Sequence, residues 1–436
     1  MAFFKKKKKK KICVVGLDGV PYSLIKRFCE NDIMPATAKI IKNGHLHQTT
    51  VSLPEISAVS WTSFATGTNP GTHGIFGFVD LKPNSYSLSF PSYRDLKAVP
   101  LWDKLAEQNK RSIIINQPFT YPAPKIQGVL ISGFVALDMI KSVTPISLLS
   151  KLKNINYQID IDTMRSREDH DFLFTELERT ISSRERAVEY LWDTEEWDYF
   201  QVVITGTDRL HHYLMDAIHD ANHNYHNVCL DYYRRIDQFI AQIHQKFYRV
   251  TEYQEPNRGF YILSDHGFIP IEQELYLNTW LQKEGYLSFE KPNPESLNDM
   301  SPTSQVFALD PNRLYINLQG KFPKGEVKAE EVEPLKKELK QKLEALRYNG
   351  KKVVRQVFDR KEAYSGPYID KGPDLIVLTH HGFDAKGAIN QKEVFGRSNL
   401  TGMHTWDDAF FFSYKKEKED LNIAEISQII LSEFTS

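Results

Sequence analysis

Residues able to bind metal ions or attack an electrophile recur where short apolar runs end. Asp18 directly follows Ile12 to Leu17 in the string GLDG, Asp208 follows Phe200 to Ile204 in ITGTDRLHH, and Asp265 and His266 follow Phe260 to Leu263 in SDHG. Ligands of an open parallel sheet bind beyond the carboxyl ends of its strands, so these acidic residues are predicted to converge on one edge. A single Asp in that place is as often a turn or helix-capping residue; three in three strand ends carry the argument. Asp208 and His212 are four apart and share one face if a helical turn begins there, with His211 as the competing imidazole. A carboxylate and an imidazole so placed suit zinc or another transition ion. Asp265 and His266, adjacent at a strand end, can reach two neighbouring ions, and two metals about 3.5–4 Å apart activate a nucleophile and clamp a phosphoryl oxygen.

The nucleophile is sought in LPEISAVSWTSFATGTNPGTHGIFGF. Ser57 to Thr66 is predicted as a helix entered after Pro54 and closed by Gly67, which puts Ser57 at the N-terminus, where free N–H groups and the helix dipole favour an anion. A metal-bound hydroxyl there is eased toward alkoxide. The plainer role for Ser57 is that of an N-cap. Ser60, Thr62 and Ser63 are rival hydroxyls lying one to two turns inside, where that anion site is lost. His404, in GMHTW, stands alone, and a lone His is usually a satisfied core or surface residue. His219, His223, His226, His380 and His381 are given that ordinary role.

Positioning these groups requires strands alternating with helices. Ile12 to Leu17, Ile113 to Ile115, Val129 to Ile131, Phe200 to Ile204, Phe260 to Leu263 and Leu375 to Leu378 are short, rich in β-branched residues and bounded by turn formers, as expected of strands buried on both faces. Leu177, Ile181, Val188 and Leu191 keep one helical face, as do Ile236, Ile240, Ile243 and Phe247. The pattern predicts an α/β fold with a mainly parallel sheet. Two stretches break the alternation, about 135–171 and about 286–368, the second carrying a charged helix on Leu335, Leu339 and Leu343. Segments that long are usually lids or inserted subdomains, and they are read as caps over the site.

The 436 residues, 41% apolar and 12% aromatic, are those of a globular chain, and 55 basic against 56 acidic residues exclude a strong nucleic-acid field. Lys5 to Lys11 is a run of seven lysines, without which 48 basic residues face 56 acidic ones, a balance of −8. Residues 1–11 are read as a flexible, solvated arm without the apolar region of a secretory signal, and weak contact with an anionic surface is the alternative. No apolar stretch is long enough for a transmembrane helix. Cys13, Cys29 and Cys229 form neither a disulfide framework nor a metal motif, so a cytoplasmic setting is expected.

GLDG, SAVSWTSFATGTNPGTHGIFGF, D-x-x-x-H at Asp208 and His212, SDHG and a late G-x-H together resemble the alkaline phosphatase superfamily. The likeness is to its type I phosphodiesterase/nucleotide pyrophosphatase branch and to the predicted phosphohydrolase/phosphomutase group, and it extends from Asp18 to His404. It implies a three-layer α/β sandwich over residues 12–436 with inserted caps, and a phosphoryl-transfer site holding two divalent ions, zinc or alternatively manganese. By the same resemblance Asp18, Ser57, Asp265 and His266 hold one ion, while Asp208, His212 and His404 hold the other. The family's nucleophile stands nine residues before the Thr of the T-G pair, and counting back from Thr66 gives Ser57. One position departs: nucleotide pyrophosphatases carry an Asn 21 residues after the nucleophile to donate to a phosphoryl oxygen, and Phe78 stands there instead. Asn69, His73 or a backbone N–H is then needed to replace it.

The expectation is therefore a metal-dependent phosphohydrolase acting on a small phosphorylated substrate, first of all a phosphodiester, with Ser57 attacking phosphorus in line. A phosphomonoesterase or phosphomutase is the alternative enzyme. A monoester's extra charge calls for further cations, for which Arg209 and Arg94 are the candidates. A binding protein that kept the ions and lost turnover is the non-enzymatic alternative.

Overall fold

A computed structural model describes residues 10–251 and 258–435. Nine strands form the central sheet: β1 (Ile12–Leu17), β2 (His45–Thr50), β3 (Ser112–Gln117), β4 (Gly128–Ser132), β5 (Val143–Thr144), β6 (Tyr199–Ile204), β7 (Phe260–Leu263), β8 (Ala409–Ser413) and β9 (Leu421–Asn422). Their spatial order is β9-β2-β8-β7-β1-β6-β3-β4-β5. The run β7-β1-β6-β3-β4 is parallel throughout, and β8 enters antiparallel between β7 and β2. Parallel neighbours need helical crossovers on the sheet faces, which is why these strands read as unbroken apolar runs.

Side chains of β1 alternate between two cores. Cys13, Val15 and Leu17 face the helices α2 (His170–Thr194), α3 (Gly206–His219) and α4 (His226–Thr251), where Leu177, Ile181, Val188, Leu191, Ile236, Ile240, Ile243 and Phe247 are buried. Ile12 and Val14 face the opposite way, toward Trp61 and Phe64 of α1 (Ser57–Thr66) and Ile423, Ile426 and Ile430 of α5 (Ile423–Thr435). Helices on both faces make the sandwich three layers deep. No helix among the described residues is long and apolar enough to cross a membrane.

The structure differs from the sequence expectations at several points. Leu375 to Leu378 does form a strand (Leu375–Thr379), but it belongs to a separate four-stranded antiparallel sheet with Val306–Leu309, Arg313–Ile316 and Val354–Asp359. An apolar run cannot by itself say which sheet it joins. That sheet and the helix Val332–Glu344, with Leu335, Leu339 and Leu343 buried, build a second core, so the body formed by 286–368 extends further along the chain. The stretch 135–171, by contrast, has no core of its own: β5 extends the edge of the central sheet, and Leu148, Leu152, Tyr157 and Ile161 sink into the main core. The lysine arm ends earlier than expected, because Lys10 Nζ meets Glu433 at 2.8 Å and Lys11 Nζ donates to the Trp197 carbonyl at 2.6 Å. The rest of the arm lies outside the described residues.

Candidate active site

The carboxyl end of β1 turns at Asp18-Gly19. Gly19 has φ +68°, and a Cβ there would stand 2.9 Å from the Phe268 ring, so the turn admits only glycine. The Gly19 N–H donates to Asp265 Oδ1 at 2.9 Å, and Thr207 Oγ1 of α3 donates to the Asp18 carbonyl at 2.5 Å. These two bonds tie the ends of β1, β6 and β7 together and bring their acidic residues to one place. Asp18, Asp208, Asp265 and His266 are all buried.

α1 spans Ser57–Thr66 and closes on Gly67 at φ +68°, as the sequence suggests. Its N-cap is Ile56, however, and Ser57 makes no capping bond. The Ser57 hydroxyl lies instead 3.2 Å from Asp18 Oδ1 and 3.1 Å from His266 Nε2. One turn on, Trp61 Nε1 donates to Asp18 Oδ2 at 2.9 Å. The N–H groups of Val59 and Ser60 both bond the Ile56 carbonyl. Those of Ser57 and Ala58 have no hydrogen-bond partner among the described residues, which leaves two donors beside the hydroxyl. The rival hydroxyls are committed elsewhere: Thr62 to the Ala58 carbonyl and Ser63 to His73. Ser60 is fully buried with no partner.

His404 arrives on a late strand, Gly402–Thr405, which pairs antiparallel with Gly267–Pro270 so that His404 stands opposite Phe268. Thr401 bonds α3 twice, its N–H to the His212 carbonyl and its hydroxyl to the Met215 N–H, which fixes that strand against Asp208 and His212. His404 Nε2 is 3.2 Å from His212 Nε2 and 3.5 Å from Asp208 Oδ1, and His212 Nε2 is 3.4 Å from the same oxygen. The Phe268 ring packs against His212, His266 and His404. His211 is turned away, with its ring nitrogens on the Gly19 carbonyl and the Tyr233 hydroxyl.

Two groups here bring ligand-type atoms within 4.8 Å of one another: Asp208, His212 and His404, and Asp18, Asp208 and His266. Asp265 joins the second through its Oδ2, 3.3 Å from His266 Nε2. The donor chemistry fits cations. Asp208 Oδ1, Asp265 Oδ2 and His212 Nδ1 are buried without a hydrogen-bond partner. His404 Nδ1 faces the Glu55 carbonyl and His266 Nδ1 the Gly267 carbonyl. A carbonyl can only accept, so Nδ1 carries the proton and Nε2 offers its lone pair inward.

The titration of this cluster follows from burial and crowding. Burial, with Asp265 and Asp208 alongside, pushes Asp18 well above the carboxylate range. Burial and the Asp208 charge push Asp265 up to about 7. For Asp208 burial acts upward but is outweighed by His212, His404 and Arg209, so it lies below its ordinary value. Burial pushes His212 down to about 3. His266 is likewise pushed down by burial, whereas in His404 the Asp208 carboxylate outweighs burial and raises it.

Several participants were not legible as such. Arg209 spans Asp208 Oδ2 at 3.1 Å and Asp160 Oδ2 at 2.6 Å, with the Phe134 ring 4.4 Å away. Asp160 lies in the stretch 135–171, which supports the site from behind. Arg94 is exposed and does not line the adjacent cavity. Neither side chain named as a replacement for the missing Asn is free: Asn69 caps a short helix and bonds Ser365, and His73 bonds Ser63 and the Ile75 N–H. A cavity of about 270 Å³ opens beside His212 and His404, lined by Phe78, Glu55, Asn312, Asp384 and Lys386 among others. Of the two stretches, only the second contributes to its lining, through Asp310, Pro311 and Asn312.

The chain matches the family described as type I phosphodiesterase / nucleotide pyrophosphatase over residues 12–407. No curated protein matches its sequence. Among solved structures it is similar to phosphonoacetate hydrolase from Sinorhizobium meliloti 1021 in complex with phosphonoacetate, at 13% identity and a TM-score of 0.66, covering 98% of this chain and 96% of that one. It is also similar to murine ectonucleotide pyrophosphatase / phosphodiesterase 5, at 12% identity and a TM-score of 0.54, covering 98% and 95%. At such identities the likeness is one of fold.

Proposed function

We propose, for a chain that belongs to the type I phosphodiesterase/nucleotide pyrophosphatase family and is thus a hydrolase of phosphoric ester bonds, that it cleaves phosphodiesters with Ser57 as nucleophile. The observation that supports this most is the Ser57 hydroxyl at the free N-terminus of α1, within 3.2 Å of both Asp18 and His266. Asp18, Ser57, Asp265 and His266 would hold one divalent ion and Asp208, His212 and His404 a second. The oxygen and nitrogen donors, with no Cys among them, suit zinc and also manganese. When bound, such ions supply positive charge that stabilises the attacking and leaving oxygens.

Ser57 Oγ forms a bond to phosphorus as the ester oxygen opposite it departs with a proton, and water then releases the phosphoryl group from Ser57. The Ser57 and Ala58 N–H groups are placed to receive a phosphoryl oxygen, the task that Phe78 cannot perform. Trp61 and the Gly19 N–H hold the carboxylates of Asp18 and Asp265 in orientation. Charge supports a diester over a monoester, because Arg209 is consumed by Asp160 and Asp208 and Arg94 does not line the cavity. The unpaired cysteines, two of them buried, support a reducing, cytoplasmic setting.

The test is Ser57→Ala in zinc-loaded protein assayed on bis-p-nitrophenyl phosphate and p-nitrophenyl phosphate. Turnover of the diester by the parent is expected to exceed that of the monoester, and Ser57→Ala is expected to lose roughly three or more orders of magnitude. Mass spectrometry of trapped enzyme should find phosphate on Ser57. Phosphate on Ser63, with Ser57→Ala still active, would reject the assignment.

A further inference from the structure

The cavity beside His212 and His404 has a pronounced imbalance of hydrogen-bonding groups. Its side-chain amide and hydroxyl donors are spent within the protein, and its one lining ammonium is paired. Asn312 Nδ2 donates to both Glu55 carboxyl oxygens at 3.2 Å, Lys386 Nζ pairs with Asp384 Oδ2 at 2.5 Å, and the Thr379 hydroxyl donates to the Phe383 carbonyl. Acceptors remain. Asn312 Oδ1 is buried with no partner, and neither Asp384 Oδ1 nor Asp310 Oδ2 receives a hydrogen bond among the described residues. Asn312 is 4% exposed and holds a left-handed backbone, φ +45°, directly after Asp310 and Pro311, so the loop presents all three residues to one space.

The charges lean the same way. Among the described residues Lys386 is the only Lys or Arg lining the cavity, against the carboxyl groups of Glu55, Asp310 and Asp384. Burial works against its ammonium, but Asp384, Asp310 and Glu274 nearby outweigh burial and hold it charged. The rest of the wall, Ile56, Phe78, Val79, Pro311, Ala385 and Met403, is apolar.

The cavity also lies where a departing group must go. Ser57 sits on the Asp18 and His266 side of the cluster, and in-line displacement sends the leaving oxygen to the opposite side, toward His212 and His404.

We infer that this cavity receives the leaving alcohol of the diester and selects alcohols that donate hydrogen bonds, through hydroxyl or ammonium groups, over leaving groups that carry a second anion. The inference rests on the diesterase reading above and sharpens it: the scissile bond is a phosphodiester rather than a pyrophosphate, whose leaving group is itself an anion. A carboxylate or phosphate entering the cavity beyond an ion held at His212 and His404 meets unpaired acceptors of its own sign, and the one lining ammonium is already paired with Asp384. A polyol or an amino alcohol satisfies Asn312 Oδ1, Asp384 and Asp310 with donors.

Four substrates test it on the zinc-loaded full chain: the methyl phosphate esters of glycerol, ethanolamine and glycolate, and methyl pyrophosphate, each yielding methyl phosphate by ³¹P NMR. The glycerol and ethanolamine esters are expected to lead the glycolate ester and the pyrophosphate by at least about tenfold in kcat/KM. Their order relative to each other tells a hydroxyl site from an ammonium site. Asp384→Asn frees the Lys386 ammonium and is expected to move the ratio toward the anionic leaving groups. Lys386→Met frees the Asp384 carboxylate and should move it the other way, so that the opposite signs of the two variants guard against a general loss of fold. A parent enzyme that prefers glycolate or pyrophosphate, or two variants that leave the ratio unchanged, overturns the inference while bis-p-nitrophenyl phosphate turnover keeps the diesterase reading. Failure on every diester overturns both.

Discussion

Replacing Trp61 by Phe removes one hydrogen bond and little else from the cluster. The indole N–H reaches Asp18 Oδ2 at 2.9 Å, and both groups are fully buried. The remaining ring still packs against Phe64, which it meets edge-on at 5.9 Å. The consequence depends on the charge of Asp18. In metal-free protein, burial and the neighbouring carboxylates push Asp18 well above the carboxylate range, which favours a neutral acid as the indole's partner. Such a bond is worth about 0.5–1.5 kcal/mol, whereas one to a charged acceptor is worth about 1.5–3 kcal/mol. Metal binding requires the ionised form, so the variant forfeits the larger amount there. The difference, on the order of 1–2 kcal/mol, corresponds to roughly 5- to 30-fold in zinc affinity. The assay is competition against a chromophoric chelator at neutral pH, beside melting of the EDTA-treated protein, where a fall of a few degrees is expected. A lowered melting temperature with unchanged zinc affinity would refute the reasoning, since Trp61 would then act through packing alone.

Metal-free stability is expected to fall as pH rises from about 6.5 to about 8. Asp265 and Asp18 are raised, as is His404, so in this window the folded protein binds more protons than the unfolded chain and loses stability as they leave. His212 and His266, pushed down by burial, oppose this at the lower end of the window, where the unfolded imidazoles still hold part of a proton, and contribute little by pH 8. Zinc should reverse the slope, because the ligands must shed those protons to bind it, and melting curves at the two pH values with zinc or EDTA check both signs. Arg209→Met leaves Asp160 and Asp208 facing each other without their shared cation, and unfolding in denaturant should show a loss of about 3–5 kcal/mol. If that loss is under about 1 kcal/mol, solvent rather than Arg209 supports Asp208.

How much of this was legible from sequence can be judged residue by residue. Asp18, Asp208 and Asp265 were placed because strand ends are local features: a β-branched run that stops at a turn former is visible in a dozen residues, and a parallel sheet gathers such ends on one edge. The span of α1 was legible for the same reason, since Gly67 in a left-handed conformation is a local stop. Tertiary contacts were not. Arg209 reads as a cation available to a substrate until the fold brings Asp160 from a different stretch against it. Glu55 and Trp61 sit within a few residues of Ser57, yet nothing in their spacing says that one offers its carbonyl to His404 and the other its N–H to Asp18.

The sequence by itself determined the alternation of strands and helices, the strand ends and the polarity of α1, because these follow from backbone periodicity and from residues within one turn of each other. Spacing left His211 and His212 open and only the resemblance favoured His212; the tertiary structure turns one to the Gly19 carbonyl and the other to Asp208. Only it showed Ile56 in the capping position with the Ser57 hydroxyl left for Asp18 and His266, and the strand Leu375–Thr379 in the second body. The reason is physical. A helix or strand forms from interactions between near neighbours, but the side on which a buried polar atom finds its partner is fixed by which distant segment packs there, and that choice depends on the energy of the whole fold.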